Sequence, residues 1–395
     1  MSTPVQPYGF YEFFAGGGMA RLGLGEAWQC LFANDFDPKK GAAYKANFGS
    51  NELHIGDVAE VTAKQLPGRA MLAWGSFPCQ DLSLAGNGHG LAGSKSGVFW
   101  SFWRLLYSLR VEQRMPPIIA LENVRGLITS HGGKDLTSLV ECLSSAGYRV
   151  GALEIDAAYF MPQSRPRLFI VAVRKEVQLP KGLTTATPNP SWHRKKLQDV
   201  VEALPPAVKK SWVWWKLPMP TKEVQPLIEI MEEEPMSVAW HTPAETNRLL
   251  DMMTAANIAK VIDAKKSGKR EVGAIYRRTR SGMQRAEVRF DGLSGCLRTP
   301  AGGSSRQIIM TIEGQNVRSR LISSRETARL MGLSDTYELP QKYNDAYHLT
   351  GDGVAVPVVS WLERHIIRQL AATAQSQFEI EQESIAANNA LFSAA

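Results

Sequence analysis

The chain predicts a doubly wound, mostly parallel α/β sheet with a second, smaller and irregular domain. Two observations lead there. Through the first 175 residues, short apolar runs alternate with stretches of helical periodicity, the pattern of strands joined by crossover helices. Near Leu179 the texture changes: Pro180, Pro188, Pro190, Pro205, Pro206, Pro218, Pro220, Pro226 and Pro235 break up the next stretch. Residues 1–185 are therefore expected to form the sheet domain and 186–340 the small one. Residues 341–370 are expected to return to the first domain, and 371–395 to be a flexible or helical tail.

The expected strands are Tyr8–Phe14, Trp28–Asn34, Glu52–Ile55, Ala70–Trp74, Ile118–Leu121, Tyr148–Ile155 and Leu168–Val173. Between them Phe99, Phe102, Trp103 and Leu106 fall on one helical face, and that helix must end before Pro116-Pro117. Leu136, Leu139, Val140 and Leu143 mark another, stopping at Gly147. Beyond the small domain, Val359, Leu362, Ile366 and Leu370 line one side of a helix.

Composition sets bounds. Hydrophobic content of 44% and charged content of 21% describe an ordinary globular chain. No apolar run is long enough for a bilayer, and the first residues resemble no secretory signal. The four cysteines, Cys30, Cys79, Cys142 and Cys296, form no C-x-x-C pair, which argues against zinc and disulfides and for a reducing compartment. No metal is expected: His54, His131 and His348 have no second ligand at suitable spacing. The net charge of +7 is concentrated. Lys260 to Arg306 holds twelve Lys/Arg against Asp263, Glu271, Glu287 and Asp291, which is +8 and favours a polyanion partner.

Open α/β sheets bind ligands at the carboxyl edge of their strands. Three features meet there. The first strand runs into Phe14-Ala15-Gly16-Gly17-Gly18, a turn that lets backbone approach a ligand. The second ends in Asp35 and the third in Asp57, the succession of a nucleoside site whose acid holds ribose hydroxyls. No Gly-Lys-Ser/Thr follows the glycines, so a phosphate-rich nucleotide is disfavoured. The fourth and fifth strands then present Cys79, in Phe77-Pro78-Cys79-Gln80, and Glu122, in Glu122-Asn123-Val124. A thiol and a carboxylate side by side suggest a nucleophile with a partner acid.

Taken in order, these segments resemble the motifs of the DNA (cytosine-5)-methyltransferase family. The resemblance also includes Gln163-Ser164-Arg165-Pro166-Arg167, Arg320-Leu321-Ile322-Ser323-Ser324-Arg325-Glu326, Ala328-Arg329-Leu330-Met331-Gly332 and Gly351-Asp352-Gly353-Val354-Ala355-Val356-Pro357. It covers about 8–358, leaving 186–295 and the tail without a motif. It implies a Rossmann-like methyltransferase sheet, S-adenosyl-L-methionine as cofactor and double-stranded DNA as substrate. Cys79 would attack C6 of a flipped-out cytosine and Glu122 would hold its N3 and amine. Arg167 would bond O2, and Arg165 would buttress the catalytic loop. Phe14, Ala15, Gly16, Gly18, Asp35, Asp57, Val58, Pro78, Gly353 and Val354 would line the cofactor site. Asp352 stands where Asn is common, which sets an acid near the cofactor carboxylate.

The glycine-rich loop after Cys79 would close on DNA through Gln80 and Ser83. Arg277, Arg278, Arg280 and Arg306 are the expected DNA contacts of the small domain. Trp212, Trp214 and Trp215 could touch DNA, although such clusters more often form a core. The reading is a sequence-specific DNA methyltransferase of the cytoplasm, monomeric, either in a restriction-modification system with an independent endonuclease or as an orphan or phage enzyme. A tRNA cytosine-5 methyltransferase of the same fold and a catalytically silent DNA-binding module stay open as alternatives.

Overall fold

The computed structural model describes residues 6–78, 97–221, 223–280, 282–298 and 306–393; of Arg280 and of residues beyond 380 it describes the backbone alone. Seven strands make the large sheet: β1 (Tyr8–Phe13), β2 (Trp28–Asp35), β3 (Leu53–Ile55), β4 (Leu72–Gly75), β5 (Ile118–Val124), β6 (Tyr148–Asp156) and β7 (Pro166–Arg174). Their order is β3-β2-β1-β4-β5-β7-β6. All pairings are parallel except those of β7, which runs antiparallel to both β5 and β6.

Both faces of the sheet are covered, so its central strands are mostly apolar, with Glu12, Glu122 and Asn123 as buried exceptions. Side chains alternate between two cores with the period of a strand. Phe10, Leu72, Trp74, Ile118 and Ala120 enter one; Tyr11, Ala73, Ile119 and Leu121 enter the other. The second core is closed by α3 (Val98–Ser108), α4 (Gly126–Thr129) and α5 (Lys134–Ser145), which contribute Phe99, Phe102, Leu127, Leu136 and Leu139. The first receives α1 (Met19–Leu24) and α2 (Pro38–Phe48). Helix α2 starts where Asp37 accepts the Lys39 amide at 2.8 Å with proline at its first position, and stops at Gly49, whose φ of 83° suits glycine.

The division at residue 185 needs correction. Trp192 to Leu217, with α6 (Lys195–Glu202), α7 (Pro206–Lys209) and β9 (Trp214–Trp215) paired to β8 (Thr184–Thr185), packs back on the large sheet: Glu154 N donates to Trp192 O at 2.7 Å and Trp215 Nε1 to Val171 O at 3.1 Å. Trp215 is fully buried, and Trp212 and Trp214 pack against the second core. That cluster is core. Leu227, Ile230 and Met231 also join the large unit. The small unit has its own core of Leu249, Met253, Val261, Ala264, Ile275, Ala286, Val288, Ile308, Met310 and Ile312. It is regular rather than irregular. Helices α8 (Pro243–Asp251) and α9 (Ala255–Lys266) accompany the antiparallel strands β10 (Arg270–Arg280), β11 (Met283–Arg289), β12 (Ile308–Glu313) and β13 (Asn316–Leu321), ordered β11-β10-β12-β13.

The chain re-enters the large unit at α10 (Ser324–Arg329), where Ser323 and Glu326 form a reciprocal cap. Next to that cap the buried Arg320 grips Glu326 through two hydrogen bonds of 2.6 and 2.7 Å. Helices α11 (Tyr343–Asp352), α12 (Val356–Leu362) and α13 (Arg368–Ser393) complete the fold, the last two joined by a π-turn. They lie against the start of the chain: Trp28 Nε1 donates to Glu363 at 2.9 Å. Among the described residues no helix is long and apolar enough to cross a membrane.

Candidate active site

A cleft of about 760 Å³ opens at the carboxyl edge of β1 to β5. Of the expected cofactor residues, Phe14, Ala15, Gly16, Asp35, Asp57, Val58, Pro78, Gly353 and Val354 line it. Gly18 does not. It sits beneath the turn with φ 74°, where a Cβ would fall 2.3 Å from the Phe48 ring. Phe14 holds a left-handed backbone (φ 57°), a strained conformation for a side-chain-bearing residue.

Asp35 is fixed from both sides. Its carboxylate accepts the Gly16 amide at 2.7 Å and the Asp37 amide at 2.8 Å. Burial pushes its pKa up against the pull of these two amides. Asn34 pins the neighbouring strand by donating to His54 O and Gly56 O at 3.1 and 3.0 Å, which places Asp57 at the rim. Beneath them Glu12 is fully buried, and burial raises its pKa to about 8. One of its oxygens accepts the Arg21 amide at 3.2 Å. At the far wall Asp352 is paired with Lys40 at 2.8 Å, so the acid expected to trouble a cofactor carboxylate is neutralised by a lysine.

The other end of the cleft collects Glu122, Arg165 and Arg167. They meet because β7 is reversed: its first residues lie beside the last residues of β5, with Arg167 opposite Val124. Glu122 is buried and bonded to Arg167 Nε at 3.1 Å. Burial raises its pKa; Arg167, Arg165 and a bond to Ser76 oppose this without reversing it. Arg167 also donates to Pro166 O at 3.0 Å and to Cys296 Sγ at 3.7 Å. Arg165 is expected to buttress the catalytic loop, which lies outside the described residues; among those described it donates to Gly351 O and Gly353 O at 2.9 and 2.7 Å, bracing a turn in the cleft wall. Burial and then repulsion from Arg167 lower its pKa to about 10.

Cys79, Gln80 and Ser83 lie outside the described residues. The strand leading to them is held, since Asn123 Nδ2 donates to Phe77 O at 2.9 Å and Pro78 lines the cleft. Sequence reasoning named none of Phe36, Lys40, Ser76 and Asn123 as site residues. Phe36 was the one with a signal: an aromatic directly after Asp35, here 75% exposed at the cleft.

The basic segment does not form one patch. Lys265, Lys266 and Lys269 precede β10, whereas Arg277, Arg278 and Arg280 stand at its far end, roughly 30 Å away at about 3.3 Å per residue. Among the described residues, 276–280 pair with β11 alone, the pairing with β12 ending at Ile275. A two-stranded ribbon thus extends beyond the sheet. On it Arg278 stands directly opposite Arg285, and Arg278 is exposed. Arg306 is elsewhere and engaged, bonded to Asn344 and set over the Tyr343 ring.

Residues 8–368 match the model of the C-5 cytosine-specific DNA methylase family. Type II methyltransferase M.HhaI of Haemophilus parahaemolyticus is 24% identical over 90% of this chain and 93% of its own. Type II methyltransferase M1.ScrFI of Lactococcus lactis subsp. cremoris is 25% identical over 92% of this chain and 79% of its own. A stronger local likeness, 32% to Type II methyltransferase M.BsuFI of Bacillus subtilis, spans 44% of this chain and 42% of that one. Among solved structures, the Entamoeba histolytica methyltransferase EhMeth superposes with a TM-score of 0.60 at 14% identity, covering 92% of this chain and 99% of that one. S. pombe Dnmt2 methyltransferase gives 0.56 at 18%, covering 90% and 97%. At such identities these two speak for the fold alone. The family match spans nearly the whole chain, and the chain belongs to the C-5 cytosine-specific DNA methylase family.

Proposed function

We propose that this protein methylates C5 of cytosine within a specific sequence of double-stranded DNA, with S-adenosyl-L-methionine as donor. One observation carries the reading: a nucleoside-type pocket and a buried carboxyl–guanidinium group share a single cleft beside the strand that leads into Cys79. Type II relatives similar along most of their length make a modification enzyme of that kind the fitting context.

The residues fit the cofactor. A carboxylate offers about four lone-pair positions, so Asp35, with two amides bound, can still accept both ribose hydroxyls. The exposed Phe36 ring offers a face for adenine. The Phe14–Gly16 turn and the Gly353–Val354 backbone would hold the methionine part, with Lys40 and Asp352 supplying both signs of charge for its zwitterion. When bound, the cofactor supplies an electrophilic methyl group.

The chain's own groups prepare the base. C5 and C6 are out of reach inside a duplex, so the cytosine must be flipped into the cleft. Thiolate addition of Cys79 to C6 makes C5 nucleophilic, and the thiol is eliminated after C5 has taken the methyl and lost its proton. Glu122 keeps its proton to higher pH than an ordinary glutamate, so it can offer that proton at N3 as charge enters the ring. Arg167 has spent three of its five N–H groups on Glu122, Pro166 and Cys296, leaving two for O2.

The ribbon is the proposed reader. A two-stranded ribbon fits the major groove, and arginines facing each other across it repel unless a polyanion lies between them. Replacing Arg278 or Arg285 with alanine should flatten the slope of log affinity against log salt by roughly 0.9 each if they contact phosphate. Replacing Lys265, Lys266 and Lys269 should leave it unchanged. A guanine-reading arginine would instead relax one position of the site.

Asp35→Ala should weaken S-adenosylhomocysteine binding about 10- to 150-fold, the loss of charge-assisted hydrogen bonds of roughly 1.5–3 kcal/mol. Calorimetry measures it; an unchanged dissociation constant in a folded variant would reduce Asp35 to a backbone cap. Bisulfite sequencing of DNA and tRNA from expressing cells tests the whole reading. Converted cytosines at every DNA site, or protection confined to tRNA, would reject it.

A further inference from the structure

Cys296 has no part in that chemistry, yet its sulfur touches both arginines, accepting from Arg165 Nη1 at 3.4 Å and Arg167 Nη2 at 3.7 Å. Its place is built. Ser294 N donates to Pro162 O at 2.8 Å, Ser164 N to Ser294 O at 3.0 Å, and Leu297 N to Gln163 Oε1 at 3.1 Å. From the recognition ribbon Tyr276 presses on the same segment, so closely that a Cβ on Gly295 would fall 1.0 Å from its hydroxyl oxygen. Cys296 can therefore shift neither toward the sheet nor away from it.

We propose that Cys296 is a positioning residue whose sulfur is the shared acceptor that orients Arg167 toward the cytosine and Arg165 toward the Gly351–Gly353 turn. This rests on the base-holding role given above to Arg167. Two buried guanidiniums side by side repel, and Arg165 feels that repulsion. A sulfur between them relieves it by offering lone pairs to both, while its own thiol hydrogen is turned to Leu297 O at 3.4 Å. The groups facing the thiol are Arg165, Arg167 and Arg298, with Tyr276 and Tyr347 behind. Burial pushes the thiol pKa up, but the three arginines outweigh it and the net shift is downward.

Three variants of the full chain separate positioning from packing. Cys296→Val keeps the volume and removes the acceptor; kcat should fall about tenfold to a hundredfold and S-adenosylhomocysteine affinity several-fold, while KM for DNA holds. Cys296→Ser keeps an acceptor and should return to within about threefold of wild type. Arg167→Ala, read without DNA, tests the contact itself. Iodoacetamide alkylation of the Cys296 peptide, followed by mass spectrometry against pH, should show a lower midpoint in wild type than in the variant. A fully active Cys296→Val, or an alkylation profile that Arg167→Ala does not move, overturns the proposal. Failure of the wild type to methylate any cytosine would instead remove the function proposed above, with the alkylation result still standing on its own.

Discussion

Cys79→Ser is expected to lower turnover by several orders of magnitude while cofactor binding persists. A serine hydroxyl is scarcely ionised near neutrality, and nothing described around Pro78 supplies the strong base needed to activate it, whereas an ordinary thiol is already a few per cent thiolate at that pH and intrinsically far more nucleophilic. Cofactor affinity should hold because Asp35, Phe36 and the Gly353 turn occupy the other end of the cleft. DNA with 5-fluorocytosine at the target should trap wild type covalently, since fluorine cannot depart as a cation. Trapping of the Ser variant to the same extent, or its full activity, would remove Cys79 from the reaction.

Glu326→Ala should destabilise the protein by about 3–5 kcal/mol, the usual cost of breaking a buried ion pair by deleting one partner. Arg320 and Glu326 are both buried and bonded twice. Glu326 also accepts the Ser323 and Glu232 amides at 2.8 Å each, and Arg320 lies 5.0 Å from the Trp240 ring. The deletion leaves a guanidinium buried without its counter-charge and undoes the cap of α10. The double variant Arg320→Met with Glu326→Leu should recover most of the loss. Urea unfolding measures both; a loss below about 1 kcal/mol in Glu326→Ala would mean that water reaches the site and screens the pair.

The cofactor half of the site was legible because its signals are local: a glycine turn and two acids at the ends of successive strands, each readable within a few residues. The base half was legible only through the motif order. Nothing in the periodicity of Leu168–Val173 says that β7 runs backwards, yet that reversal brings Arg165 and Arg167 to Glu122. Proline content misplaced the domain boundary, since prolines around Trp192 and Trp215 interrupt periodicity without preventing those indoles from packing on the sheet. Charge counting found the basic segment but not that one long strand separates its lysines from its arginines. Cys296 carried no signal at all, because its role depends on a neighbour more than a hundred residues earlier.

The cofactor cleft is walled by two stretches of chain made at very different times. Phe14 to Gly16 emerges from a ribosome almost at once; Gly351 to Val354 follows on the order of tens of seconds later at ordinary rates of synthesis. Until the second wall arrives, the methionine end of the pocket has no backbone to hold it, and the Lys40 ammonium has no Asp352. A nascent or prematurely terminated polypeptide would thus carry the glycine turn and the arginine-bearing ribbon without a closed pocket, and is expected to bind no cofactor.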